Sequence, residues 1–149
     1  MTSCFRLSSA KYPVKSGAGA ALHGGRWNPR KVEVIYEAAS VSLAALEVLV
    51  HFSVLPRDFV LTEIRIPSDL AIARIDLRDL PTGWDSFSPS DATQDIGREW
   101  ASAGQTAVLC VPSTIVPAEV IYVLNPKHSD FRALEFAPSE PFRFDSRLK

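Results

Sequence analysis

Arg26 is a candidate anion-binding residue because it lies in an unusually glycine-rich segment. Residues 16–30 hold four of the seven glycines, and Arg26 follows two of them in Gly-Gly-Arg-Trp-Asn. Glycine permits close approach of the backbone to a ligand, and a guanidinium presents a planar fork to a phosphate or a carboxylate. The alternative is a surface arginine stacked on Trp27. The spacing matches neither a Walker motif nor a dinucleotide-binding fingerprint.

Glu47 is a candidate catalytic carboxylate. On a helix its neighbours would be Leu43, Ala44, Val50 and His51, which are mostly apolar. An ionised carboxylate in such surroundings is costly unless it has a partner. A structural ion pair or a contact with His51 would supply one. A catalytic role fits equally well, because active sites hold carboxylates in partly dry surroundings.

Tyr36 and Ser113 each follow or end a predicted strand. Tyr36 is either a core aromatic with a solvated hydroxyl or a ring that binds a ligand. Ser113 is either an ordinary turn residue or a polar group of a site. No Gly-x-Ser-x-Gly motif supports a hydrolase nucleophile. We expect free thiols at Cys4 and Cys110, and the scattered histidines and cysteines argue against a metal site of sequence-local ligands.

The elements that must position these residues predict an α+β fold with largely antiparallel sheets. We expect a central helix over residues 41–52, capped by Ser40, and a second helix over residues 91–102. Residues 16–30 are predicted to be an irregular loop. The predicted strands cover residues 32–37, 59–66, 71–77, 106–111, 120–124, 133–136 and 142–144.

The composition bounds the class of protein. A chain of 149 residues predicts one domain over residues 1–149, and 46% hydrophobic with 22% charged residues excludes a disordered chain. A net charge of -1 argues against direct nucleic-acid binding through phosphates. No apolar run approaches the roughly 18 residues that a membrane span needs. Without a secretory signal at the N-terminus, we expect a cytoplasmic protein.

Taken together, these segments resemble the RES domain, the toxin half of a bacterial toxin–antitoxin family named after an Arg, a Glu and a Ser. Arg26, Glu47 and Ser113 match those positions, and Tyr36 matches a tyrosine of the family's pocket. The resemblance covers about residues 5–148. Arg30 and Lys31 stand where the family often has glycine. The matching segments are residues 24–29, 34–38, 42–51, 80–84, 96–100, 111–113, 122–131 and 144–148.

The resemblance implies an ADP-ribosyltransferase-like fold that consumes NAD as a substrate, by hydrolysis or phosphorolysis, without a metal. Some members also transfer ADP-ribose to a protein. In that chemistry Glu47 would stabilise an oxocarbenium-like ribose and Arg26 would clamp the pyrophosphate. Tyr36 would stack on nicotinamide or adenine, and Ser113 would orient the ribose or Glu47.

The resemblance further implies a cognate antitoxin with a helix-turn-helix domain of the Xre type, and a toxin homodimer within the complex. Two alternatives belong to other classes: a protein-binding module that has lost catalysis, and an RNA-directed toxin. Intact Arg26 and Glu47 weigh against the first alternative. The missing basic excess and the missing metal ligands weigh against the second.

Overall fold

The computed structural model describes the whole chain, Met1–Lys149, as a single eight-stranded sheet with three helices. The sheet order is β4-β5-β6-β2-β1-β3-β7, and β8 also pairs with β3. Only β4 and β5 run parallel, which confirms the α+β, largely antiparallel prediction. The strands are β1 Thr2–Ser9, β2 Ile35–Ala38, β3 Phe59–Ile66, β4 Ile72–Arg74, β5 Val108–Pro112, β6 Val120–Leu124, β7 Glu135–Phe136 and β8 Glu140–Phe142.

Three helices, α1 Ala18–His23, α2 Val41–Leu49 and α3 Asp91–Ala103, accompany the sheet. Ser40 and Ser90 cap α2 and α3 by accepting hydrogen bonds from main-chain amides of the first turn. Gly104 ends α3 with a left-handed φ of 63°. None of the helices has the length and apolarity that crossing a membrane requires.

The two faces of the sheet carry separate apolar clusters because side chains alternate along each strand. One cluster contains Leu7, Ala38 and Val123 and packs against α2. The other contains Ile35, Ile64 and Leu124 together with both cysteines, which are free and buried.

The central strands β1 and β2 are the weakest junction of the sheet. They share a single register pair, Phe5 opposite Ala38, whereas β1 pairs with β3 along eight positions from Thr2 to Ser9. The two strands therefore separate beyond that pair, and residues of both line one cavity.

Several sequence-based boundaries were wrong. The strand β1 was not predicted at all, and the expected loop over residues 16–30 contains the short helix α1. The helix over 41–52 ends at Leu49 and is not central, since Leu46 and Val50 on its outer side are 41% and 57% exposed. The helix was predicted to be central because a helix that is apolar on most sides is usually buried, but its outer apolar side is exposed.

The strands near the sheet edges also differ from prediction. Only Ile72–Arg74 of the expected 71–77 strand pairs with β5, and a 3₁₀ turn follows at Leu77–Asp79. The last two strands are Glu135–Phe136 and Glu140–Phe142, not 133–136 and 142–144. Register against β3 decides these edges, and that pairing is not encoded in the local pattern.

Candidate functional site

Glu47 lies half-buried on α2 and faces a cavity of about 1000 Å³. The helix packs on the sheet through the buried side chains of Leu43, Ala44 and Leu49. No arginine or lysine forms an ion pair with the Glu47 carboxylate. The structural ion pair considered for Glu47 from the sequence is therefore not formed.

Ser113 is the direct partner of Glu47. Its hydroxyl, fully buried immediately after β5, donates a hydrogen bond of 2.8 Å to Glu47 Oε1. Ser113 Oγ itself accepts hydrogen bonds of 3.1 Å from the main-chain amides of Ile115 and Val116. Because those amides fix the hydroxyl, its proton points at the carboxylate. Ser113 is thus both a turn residue and the group that orients Glu47, and it lies behind that carboxylate rather than on the cavity wall.

The protonation of Glu47 reflects opposing influences. Partial burial raises the pKa of the carboxyl from its ordinary value. The Ser113 hydrogen bond lowers it again, and the nearby His51 and Arg26 contribute smaller lowering effects. Glu47 is therefore a partly dehydrated carboxylate beside positive potential, which suits stabilisation of a developing cation on a ligand.

Arg26 reaches the same cavity from a tight turn, residues 24–29, which we call the arginine loop. Gly24 has φ of 73°, which favours glycine, and Gly25 donates a hydrogen bond of 2.9 Å to the carbonyl of Asn28. Arg26 Nη1 donates to the main-chain carbonyl of Trp84 at 3.0 Å. The guanidinium is held there by that carbonyl, unlike the surface arginine considered from the sequence.

Tyr36 supports the arginine loop with its hydroxyl. The hydroxyl donates to Asn28 Oδ1 and accepts from the amide of Trp27 at 3.1 Å. Burial raises the pKa of the Tyr36 hydroxyl, against smaller lowering effects of the Trp27 amide and Arg26. The Tyr36 hydroxyl is therefore not solvated, contrary to one alternative considered from the sequence. Tyr36 lines the cavity.

Asn28 holds the arginine loop in place through hydrogen bonds of its side chain. It is fully buried, and its Nδ2 donates to the carbonyls of Ala20 at 2.9 Å and Val32 at 3.0 Å. It thereby ties α1, the arginine loop and the approach to β2 together. A buried amide with its donors and acceptor paired fixes one loop geometry, which is what a guanidinium clamp requires.

Helix α3 holds the arginine loop from outside. Gln94 Nε2 donates to the carbonyl of Gly25 at 3.0 Å. Gly97 packs so closely on the loop that an added Cβ would lie 1.5 Å from the main-chain oxygen of Trp27. The loop is therefore wedged between α3 and the sheet.

Two further charged residues line the cavity and were missed from the sequence. Arg6 of β1 donates from Nη1 to the carbonyl of Tyr36 at 3.1 Å, across the separation between β1 and β2. Glu37 of β2 is 2% exposed, and neither carboxylate oxygen has a hydrogen-bond partner. Burial raises the pKa of Glu37 to about 8, and the charge of Arg6 opposes that shift.

A signal for these residues was present in the sequence. Phe5 and Leu7 alternate with Cys4 and Arg6, a period-two pattern that indicates a strand. Glu37 ends the predicted strand over residues 32–37, which also holds Val32, Val34 and Ile35, and glutamate is uncommon in strands. Their convergence depends on the pairing of β1 with β2, which local patterns do not encode.

The structure brings Arg26, Tyr36 and Glu47 to one cavity, with Ser113 bonded to Glu47. His51 also lines it, whereas His128 accepts a main-chain hydrogen bond in a distant turn. No group of three or more histidine, cysteine, aspartate or glutamate residues is arranged to hold a metal ion.

Comparison with known proteins identifies relatives of matching length. The chain is 42% identical to a protein named Toxin Res from Photorhabdus laumondii over 149 residues, covering 97% of this chain and 95% of that protein. It is 39% identical to the Prs ADP-ribosylating toxin of a Sphingobium species over 137 residues, covering 89% and 85%.

A solved structure has the same fold. The crystal structure of the M. tuberculosis MbcT-MbcA toxin-antitoxin complex contains a chain that superposes with a TM-score of 0.76 at 20% identity, covering 95% of this chain and 84% of that one. The RES domain family matches residues 3–145, nearly the full length. With this match and relatives above 30% identity, the chain belongs to the RES domain family.

Proposed function

We propose that this protein is the toxin of a toxin–antitoxin pair and that it cleaves the bond between nicotinamide and ribose in NAD. The observation that carries the proposal is the Ser113–Glu47 hydrogen bond, which aims a partly dehydrated carboxylate at the cavity that Arg26 and Tyr36 also line. Relatives of nearly equal length named Toxin Res and Prs ADP-ribosylating toxin support the same role.

The side chains suit the charges of this substrate. Arg6 and Arg26 are the only arginine or lysine residues on the cavity wall, and two guanidinium groups match the two negative charges of a pyrophosphate. The aromatic ring of Tyr36 offers a stacking surface for a base. A cavity of about 1000 Å³ has room for a dinucleotide.

Glu47 would accelerate cleavage of the bond between nicotinamide and ribose. When the glycosidic bond breaks, nicotinamide leaves as a neutral molecule and positive charge grows on the ribose, so no general acid is required. The Glu47 carboxylate would accept hydrogen bonds from ribose hydroxyls and stabilise that charge. Ser113 keeps the carboxylate in place. Water, phosphate or a nucleophilic side chain of a target protein would then attack the anomeric carbon.

The partners belong to the same proposal. We infer a cognate antitoxin, with a helix-turn-helix domain of the Xre type, that holds the toxin inactive, and a toxin homodimer within the complex. A solved structure with the same fold, in a toxin-antitoxin complex, supports an antitoxin partner. Co-expression with the neighbouring gene product, followed by mass measurement of the purified complex, tests both inferences.

The deciding experiment measures free nicotinamide after incubation of the purified protein with NAD. Reactions with water alone, with phosphate and with added target protein separate hydrolysis, phosphorolysis and ADP-ribose transfer by their products. Glu47→Gln is expected to lower the rate of release by about 10² or more, and Glu99→Gln, at an exposed position of α3, serves as the matched control. No nicotinamide from the folded wild-type protein under any of these conditions would refute the cleavage.

A further inference from the structure

The junction between β1 and β2 contains a cluster of buried polar groups without partners. Both carboxylate oxygens of Glu37, Nε of Arg6 and the hydroxyl of Ser8 are buried and form no hydrogen bond. Buried polar groups are almost always paired, so three such residues at one place require a functional explanation. All three line the cavity of the candidate site.

Arg6 and Glu37 adjoin the one register pair of β1 and β2, Phe5 opposite Ala38, at the point where the two strands separate. They are close enough for the charge of Arg6 to lower the pKa of the Glu37 carboxyl. The two side chains carry opposite formal charges, and yet they form no ion pair. Arg6 is held instead by the main-chain carbonyl of Tyr36.

We propose that Glu37 is a positioning residue for Arg6: its uncharged carboxyl leaves the guanidinium free to bind the pyrophosphate of NAD, and its ionised carboxylate withdraws the guanidinium from the ligand. The role rests on the proposed function, because it requires NAD in this cavity. It differs from the roles of Glu47 and Arg26, which act on the ligand themselves.

The surroundings of Glu37 favour the uncharged form at neutral pH. Burial raises the pKa of this carboxyl to about 8 even though Arg6 lowers it. The other titratable groups that face it are Cys4 of β1 and Tyr122 of β6, its register partner. Burial raises the pKa of both, so neither loses its proton before Glu37 does. Ionisation of Glu37 therefore places a new charge next to Arg6 alone.

The consequence is a specific dependence of NAD affinity on pH. As the pH rises through the Glu37 pKa of about 8, the guanidinium passes from the ligand to the Glu37 carboxylate. We expect the KM for NAD to rise about tenfold between pH 7 and pH 9.5, the effect of losing one charge-assisted hydrogen bond. The kcat should not change between pH 7 and pH 9.5 for this reason, because Arg6 contacts neither the ribose nor Glu47 in the proposed arrangement.

The test compares nicotinamide release by the wild type, Glu37→Gln and Glu63→Gln across this range. Glu37→Gln keeps the size of the side chain but cannot ionise, so its KM should stay flat. Glu63→Gln is the matched control, since Glu63 lies on the neighbouring strand β3 and outside the cavity. Glu63→Gln should show the same rise of KM with pH as the wild type. In an Arg6→Gln background, Glu37→Gln should no longer alter the pH profile.

Three results would each overturn the role of Glu37. The first is a rise of KM with pH in Glu37→Gln, and the second is a pH dependence that occurs in kcat alone. The third is an effect of Glu37→Gln on the pH profile when Arg6 is absent. If the wild type releases no nicotinamide, calorimetric titration with NAD at pH 7 and pH 9.5 separates the two proposals. Tighter binding at pH 7 in the wild type but not in Glu37→Gln supports the positioning role without cleavage. Equal binding or none overturns it.

Discussion

Replacing Glu47 by glutamine separates a catalytic carboxylate from a structural one. The change keeps size and an acceptor oxygen for the Ser113 hydroxyl, which lies 2.8 Å from Glu47 Oε1, and it removes only the charge. Since no ion pair involves Glu47, no buried cation loses a partner. We therefore expect a change in stability within about 1 kcal/mol, or about 2–4 °C in Tm.

Its effect on catalysis should be far larger. The negative charge of Glu47 is needed only when the ribose becomes positive, so its loss falls on the transition state. Removing one preorganised electrostatic contact typically costs about 10²–10³ in kcat. We expect kcat for nicotinamide release to fall by about 10² or more, with little change in KM.

The pH dependence of stability supplies a second readout. Burial raises the pKa of Glu47 in the folded protein above its unfolded value. The unfolded chain therefore releases this proton first, and wild-type stability decreases as pH rises through that interval. Glu47→Gln has no such proton to lose, so its Tm relative to the wild type should increase as the pH rises from about 4, the ordinary pKa of a glutamate.

Thermal melts and nicotinamide release on the same preparation decide the question. Loss of a structural ion pair would lower stability by roughly 3–5 kcal/mol. A drop in Tm of that size, with near-normal turnover per folded molecule, would refute the catalytic assignment of Glu47.

Three further substitutions test the supports of the site. Arg26→Lys keeps the charge but not the fork, so KM for NAD should rise about tenfold at constant Tm; unchanged kinetics would remove Arg26 from the site. Ser113→Ala should lower kcat about tenfold by freeing Glu47 and lower stability by about 1–2 kcal/mol through two unpaired amides, measured by urea melts. Gly97→Ala should lower Tm and raise KM because its Cβ would collide with the arginine loop, whereas Gly19→Ala, whose Cβ would enter open space within α1, should not lower Tm.

Much of the fold could be predicted because its central elements have strong local patterns. β3 and β6 coincide with the predicted bounds, since Pro67 and Asn125-Pro126 end apolar runs that alternate or are β-branched. The cap of α2 was predicted correctly at Ser40. The strand β1 was not predicted from its short alternating pattern, and the eight register partners on β3 that stabilise it are not visible in the local sequence.

The candidate site was predictable in its members but not in its construction. Residue types and the family resemblance pointed to Glu47 and Ser113, and the resemblance left open whether Ser113 orients the ribose or Glu47. In the structure the Ser113 hydroxyl donates to Glu47 across 66 residues of sequence. For Tyr36 the sequence left open a core aromatic with a solvated hydroxyl or a ring that binds a ligand, and in the fold the hydroxyl is bonded to Asn28 and the amide of Trp27. Such pairings arise only when β2 and the arginine loop are brought together.

Gly97 illustrates why the supports of a site are harder to recognise than its reactive groups. Within a helix, glycine is normally a weakness of about 1 kcal/mol relative to alanine. In α3 it is required, because the main-chain oxygen of Trp27 occupies the space where a Cβ would lie. The same contact lets Gln94 bind the carbonyl of Gly25 and so fixes the turn that carries Arg26. The position of the guanidinium is therefore set by a residue with no side chain, 71 residues further along the chain than Arg26.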